Sequence, residues 1–124
     1  MKSFNLTTRR KRLFRWLWLV LAIAAFALSL LPEGAKETLH TKGVLHAWLH
    51  LGLFAVLGAL AIFSSNRTHM RLLLVACAML LGLSIEYSEA VRFHSAFEPY
   101  DVMTDTCGVL IGALAGWLLT RKRS

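Results

Sequence analysis

Two glutamates, Glu86 and Glu89, lie three residues apart at the end of a long apolar segment of this 124-residue chain. Positions with this spacing share one face of an α-helix. Carboxylates in an apolar setting serve as general bases or as ligands for cations when other polar groups hold them. The chemistry of this stretch therefore depends on the groups that the rest of the chain brings to it.

Two further pairs of ionisable residues open the neighbouring apolar segments. His46 and His50 stand four apart at the start of one segment, and Asp101 and Asp105 stand four apart at the start of the last. At about 1.5 Å of helix rise per residue, these groups and the two glutamates fall within about 10 Å of the same membrane boundary. We therefore expect one polar pocket near that boundary.

Ionisable side chains at membrane depth face the interior of a helix bundle and pair with one another. We predict that Glu86 faces His46 and His50, with His46 and Glu86 as the catalytic candidates. The binding candidates are His50, Glu89, Asp101 and Asp105. The carboxylates outnumber the histidines, which indicates shared protons or a bound cation.

Simpler interpretations stay open for several of these residues. Glu89 and Asp101 are close enough to the interface for plain solvation. Asp101 and Asp105 also suit a helix N-terminus, where negative charge is stabilised by about 0.3–1 kcal/mol. His50 suits a structural hydrogen bond. Glu86 and His46 are the residues that a structural role explains least well.

The elements that position these groups are apolar helices. The chain is 56% hydrophobic, with a mean hydropathy of +0.56. Four stretches approach the roughly 20 residues that a membrane-spanning helix needs: 13–31, 44–63, 72–91 and 102–119. We predict an all-α polytopic membrane protein, a bundle of four transmembrane helices forming one domain over residues 1–124.

The net charge of +7 has a one-sided distribution. Of the 14 basic residues, 11 fall on one predicted side: Lys2, Arg9, Arg10, Lys11, Arg12, Arg15, Arg67, Arg71, Arg121, Lys122 and Arg123. The positive-inside rule then places both termini in the cytoplasm. We predict a multi-pass protein of the cytoplasmic membrane that contacts anionic lipids and no nucleic acid. The first segment also has features of a secretory signal, and an uncleaved helix is the preferred interpretation.

Three glycines of the last segment, Gly108, Gly112 and Gly116, recur at intervals of four. Such a strip is typical of close contact between membrane helices. The partner is either a helix of the same chain or a second copy in a homo-oligomer. The two cysteines, Cys77 and Cys107, are predicted to be buried apolar residues too far apart for a disulfide.

Three stretches together resemble VanZ-like membrane proteins: KGVLHAWLHLG, GLSIEYSE and DVMTDTCGVLIG. The family pattern is a helix-opening His, then Gly-Leu-x-x-Glu-x-x-Gln, then Asp-x-x-x-Asn-x-x-Gly-x-x-x-Gly. The resemblance runs from Lys42 to Gly116. The residues that carry over directly are His46, Glu86, Asp101, Gly108 and Gly112.

This chain departs from the family pattern toward more acid and less arginine. Glu89 stands for the family glutamine and Asp105 for the asparagine. The Asp-Lys pair before the histidine is absent, with Lys42 nearby, and the arginine before Asp101 is missing, with Arg92 further back. The pocket is therefore more anionic than the family pattern, which argues against an anion ligand.

The resemblance implies a role in the cell envelope, including resistance to the glycopeptide teicoplanin. We expect an accessory or binding protein for an amphiphilic or lipid-linked molecule at the outer leaflet. The alternative is a membrane-embedded acid–base or metal-assisted enzyme acting on a lipid-linked envelope substrate. Ser84 and Ser88 are the nearest hydroxyls, and they lack a recognisable nucleophile setting. Neither the residues nor the resemblance identifies a cofactor or a metal.

Overall fold

A computed structural model describes residues 2–30, 44–92 and 99–122, and side chains within 8–30, 48–92 and 99–121. It contains four helices: α1 Lys2–Ser29, α2 Val44–Phe63, α3 Thr68–Arg92 and α4 Pro99–Lys122. These described residues include no β-strand. The prediction of an all-helical chain is confirmed.

Three helices contain segments long and apolar enough to cross a membrane: Thr8–Ser29, Thr68–Arg92 and Pro99–Arg121. These features of length and composition indicate a membrane protein. The 20-residue α2 has a shorter described apolar segment, Trp48–Phe63. The helices extend beyond the predicted spans at several ends, because polar residues near a membrane boundary continue the backbone hydrogen bonding of a helix.

The central element is α2, which contacts each of the other three helices and packs most extensively against α4. It carries no Asp, Glu, Lys or Arg, so it is the helix best suited to enclosure by the others. Its Phe54, Leu57 and Ala61 are fully buried. Within the described residues, α1 contacts α2 and α3 but not α4.

Local sequence explains where the helices begin and end. Ser65 closes the turn between α2 and α3, since its hydroxyl accepts from the Arg67 N–H at 3.0 Å and its carbonyl accepts from Arg71 Nε at 2.7 Å. Pro99 starts α4, where its fixed φ suits the first turn and its missing N–H costs no hydrogen bond. Asp101 follows in that turn.

The polar and basic residues occupy opposite ends of the bundle. A ring contact between Phe14 and Phe63, with centroids 5.6 Å apart, places the basic half of α1 beside the end of α2. Gly116 of α4 lies at the same end, against Ala59 and Ile62. Both cysteines are free; Cys77 is half-buried, but Cys107 is exposed, so its predicted burial is wrong. Cys107 lies on the side of α4 turned away from its neighbours.

Candidate functional site

The site is built around a contact between His50 of α2 and Asp105 of α4. Their Nδ1 and Oδ1 atoms are 2.9 Å apart. Asp105 is almost fully enclosed, with 2% of its side chain exposed, and His50 is partly enclosed at 19%. The contact therefore joins two helices through ionisable groups inside an apolar bundle.

The imidazole of His50 is held on two sides. Phe54, one turn further along α2, stacks on the ring with centroids 6.1 Å apart and an interplanar angle of 27°. Asp105 engages Nδ1, and a carboxylate in that position orients the ring and makes Nε2 more basic. His50 is thus a positioned acid–base group.

Asp105 reaches this position because α3 presents Gly82 to it. A Cβ at Gly82 would lie 3.0 Å from the Asp105 Cβ and 3.1 Å from its Oδ2, which is tighter than ordinary contact. No larger residue fits there without displacing the carboxylate. The sequence marked Gly82 only as the first residue of the glutamate motif, and this packing role needed the structure.

Glu86 lies one helical turn beyond Gly82 on the same face of α3, and it is also buried, at 6% exposure. It is thus the second buried carboxylate of the described chain, beside Asp105. Glu89 and Asp101 are half-buried, and both lie near enough to act electrostatically on His50. The structure thus gathers five of the six predicted polar residues near one end of the helices.

The sixth residue, His46, belongs to α2 one turn before His50, but its side chain lies outside the described residues. The predicted pairing of His46 with Glu86 therefore stays a prediction. Among the predicted residues, the contact that the structure places at the centre is His50 with Asp105, two residues that the sequence had ranked as supporting ones.

The two serines near the glutamates are placed away from this cluster. At about 100° of rotation per residue, Ser84 and Ser88 lie on the opposite side of α3 from Glu86. Ser84 is exposed and Ser88 half-buried. The described site therefore offers acid–base groups and carboxylate ligands, without a serine beside His50.

No group of three or more His, Cys, Asp or Glu side chains in the described residues has a geometry that would hold a metal ion. The chemistry on the page is that of a His–carboxylate pair next to further carboxylates. Such a cluster can bind a cationic group or transfer a proton.

The glycine strip of α4 sets the distance between the two helices that carry His50 and Asp105. A Cβ at Gly108 would lie 2.7 Å from the Leu51 carbonyl oxygen, and one at Gly112 would overlap the carbonyl oxygen of Ala55. Gly116 meets Ala59 at 3.3 Å. The strip therefore packs against α2 of the same chain.

The matching small residues of α2 were not identified from the sequence. Ala55, Gly58 and Ala59 form the surface that receives the strip, and a Cβ at Gly58 would overlap the Val109 carbonyl oxygen. The signal was present in the small residues of the stretch from Ala55 to Ala59, whose spacing of three and four matches one helix face.

Comparison of the chain with protein-family models, with curated proteins and with solved structures finds no match.

Proposed function

We propose that this chain is a four-span, VanZ-like protein of the cell envelope whose His–carboxylate cluster faces outward. There it binds the cationic part of an amphiphilic or lipid-linked molecule. Its role is that of an accessory or binding protein in envelope homeostasis or in teicoplanin-type glycopeptide resistance.

The observation that carries the proposal is the enclosed His50–Asp105 pair with buried Glu86 beside it. Placing ionisable groups inside a membrane bundle costs up to about 2.5–3.5 kcal/mol per group at the centre. A purely structural contact between α2 and α4 does not require that cost, because the glycine strip already joins these helices. A site that uses the charge accounts for its retention.

A cationic ligand follows from the balance of charge. Four described carboxylates surround one described histidine: Glu86, Glu89, Asp101 and Asp105. Even with a protonated imidazole, the formal charge of this group is negative. The attraction is strong in a low-dielectric setting, where charges are screened less than in water.

The outward orientation rests on the separation of charges along the helices. Arg12 and Arg15, the α2–α3 turn with Arg67 and Arg71, and Arg121 mark the basic end. The positive-inside rule assigns that end to the cytoplasm and the carboxylate end to the outer face. The VanZ-like motifs of α2, α3 and α4 support the envelope theme.

Ligand charge is tested with the purified protein in a neutral detergent. We expect a long-chain primary amine to raise the thermal unfolding temperature more than its uncharged N-acetyl derivative does. Glu86→Gln and Asp105→Asn should lose this difference, because each removes a carboxylate while keeping the side-chain size. Equal effects of the two amphiphiles on the wild type would refute cation binding.

The envelope role is tested by expression in a teicoplanin-susceptible bacterium. Wild type should raise the inhibitory concentration of teicoplanin, and His50→Gln should abolish this while the protein remains at its normal level in the membrane. His69→Gln is the matched control, since His69 is exposed at the opposite end of the bundle. Loss of resistance in both variants would contradict a role for the cluster.

A second function is favoured by the His50–Asp105 geometry. A carboxylate on Nδ1 prepares Nε2 for proton transfer, which is the arrangement of a general base. The corresponding activity is acid–base cleavage or transfer on a lipid-linked envelope substrate, with water or a substrate hydroxyl as the nucleophile.

The enzyme alternative is tested by incubating membranes that contain the protein with envelope lipid extract. Mass spectrometry of the lipids should then show a species that is consumed by the wild type and by His69→Gln, but not by His50→Gln. An unchanged lipid profile together with intact amine binding would leave the binding role alone standing.

A further inference from the structure

A groove on α1 lies at the opposite end of the bundle from the carboxylates. It has a volume of about 330 Å³ and is lined by Arg12, Arg15, Trp16 and Leu19. These positions follow the spacing of one helix face. The face is rotated by about 100° from the buried face that contains Trp18 and Ala22. The groove therefore runs along the flank of α1.

The charge of the groove is unneutralised by protein. Arg12 and Arg15 are exposed, and neither forms a hydrogen bond or an ion pair with a described residue. The described carboxylates lie at the other end of the helices. Two adjacent guanidinium groups offer several N–H donors to one anion, and phosphate is the anion whose geometry suits them best.

The order of residues along the groove matches the polarity profile of a lipid. From Arg12 to Leu19 the axial distance is about 10 Å. The guanidinium groups lie nearest the chain terminus, Trp16 follows at 60% exposure, and the apolar Leu19 lies deepest in the Thr8–Ser29 span. Indole rings favour the membrane–water interface, between headgroups and acyl chains.

A second arginine–tryptophan pair supports this depth assignment. Arg121 of α4 lies over the ring of Trp117, 5.3 Å from its centroid. Trp117 follows Gly116, which packs at the same end of α2 as Phe14 does through Phe63. Trp16 and Trp117 therefore mark one interface at the basic end of the bundle.

We propose that the α1 groove is a binding site for one anionic phospholipid of the leaflet at the basic end. Arg12 and Arg15 hold its phosphate, Trp16 packs against its glycerol region, and Leu19 contacts the start of an acyl chain. The site is independent of the carboxylate cluster, and it gives α1, which has no contact with α4 in the described residues, an anchor of its own.

The test measures lipid binding to the intact protein in neutral detergent by native mass spectrometry. Phosphatidylglycerol and phosphatidylcholine with identical acyl chains serve as probes. A basic residue near an anionic lipid contributes about fivefold in affinity, so Arg12→Gln with Arg15→Gln should weaken phosphatidylglycerol binding about 25-fold. Phosphatidylcholine binding should change little.

The matched control is Arg9→Gln with Arg10→Gln, which removes the same charge from exposed positions of α1 outside the groove. It should retain phosphatidylglycerol binding to within a few fold. An equal loss in both double variants would overturn the site in favour of diffuse attraction. Equal binding of the two lipids by the wild type, or displacement of phosphatidylglycerol by millimolar inorganic phosphate, would also overturn it. Teicoplanin resistance and amine binding are separate readouts, so failure here leaves the proposed function untouched.

Discussion

Replacing Gly112 by alanine tests whether the glycine strip of α4 sets the spacing of the helices that carry the site. The added Cβ would lie 2.7 Å from the Ala55 Cα and 2.5 Å from its carbonyl carbon, whereas ordinary contact begins at 3.4 Å. The two helices must therefore separate locally by about 0.7–0.9 Å. Both groups belong to helix backbones, so no side-chain rotation relieves the overlap.

The expected free-energy change combines two opposing terms. Overpacking of this kind costs about 1–3 kcal/mol, and alanine is favoured over glycine inside a helix by about 0.8–1 kcal/mol. Because the clash is with backbone, we expect the upper part of the range, a net loss of about 2 kcal/mol in unfolding free energy. The spacing of α2 and α4 should increase with it.

Gly52→Ala is the matched control, since a Cβ at Gly52 meets nothing within 4 Å. This variant keeps only the helix-propensity term and should be more stable by up to about 1 kcal/mol. Gly116→Ala, with its nearest contacts at 3.2–3.3 Å, should fall between the two. Unfolding by sodium dodecyl sulfate in mixed micelles, followed by circular dichroism, measures all three. Wild-type stability in Gly112→Ala, or an equal loss in Gly52→Ala, would refute the reasoning.

Three further predictions concern the site and its orientation. A double-mutant cycle with His50→Ala and Asp105→Ala should give a coupling energy of about 1–2 kcal/mol in unfolding experiments; additive effects would show that the 2.9 Å contact contributes nothing. Gly82→Ala should reduce amine binding while lowering the unfolding free energy by no more than about 1 kcal/mol, because the clash of about 1–3 kcal/mol is partly offset by helix propensity; unchanged amine binding would show that the carboxylate tolerates displacement. In a variant without native cysteines, an impermeant thiol reagent added to intact cells should label Tyr100→Cys and not Asn66→Cys, and the reverse pattern would invert the proposed topology.

Much of the fold follows from local sequence. Apolar length predicted the helices, and α1, α3 and α4 are long and apolar enough to cross a membrane. Spacing also predicted which residues share a face. Asp101, Asp105 and the three glycines of α4 lie on one side of that helix because their separations are near multiples of 3.6 residues. These are properties of a single helix, so no tertiary information was needed.

The partners of those faces required the structure. Helical periodicity says which residues point together, but it does not say which neighbour they meet or at what axial offset. The sequence ranked His46 with Glu86 first, whereas the contact that the structure describes is His50 with Asp105. The offset of α2 against α4 decides that pairing.

The sequence by itself determined the apolar helices, the one-sided basic charge and the set of polar residues near one end, because these depend on composition and on spacing along the chain. Only the tertiary structure decided that α2 is central, that the glycine strip meets Ala55 and Ala59, and that Gly82 makes room for Asp105. These last facts depend on the rotation and axial shift of each helix against its neighbours. Packing of side chains from several distant segments sets those quantities together, and no single stretch of sequence contains them.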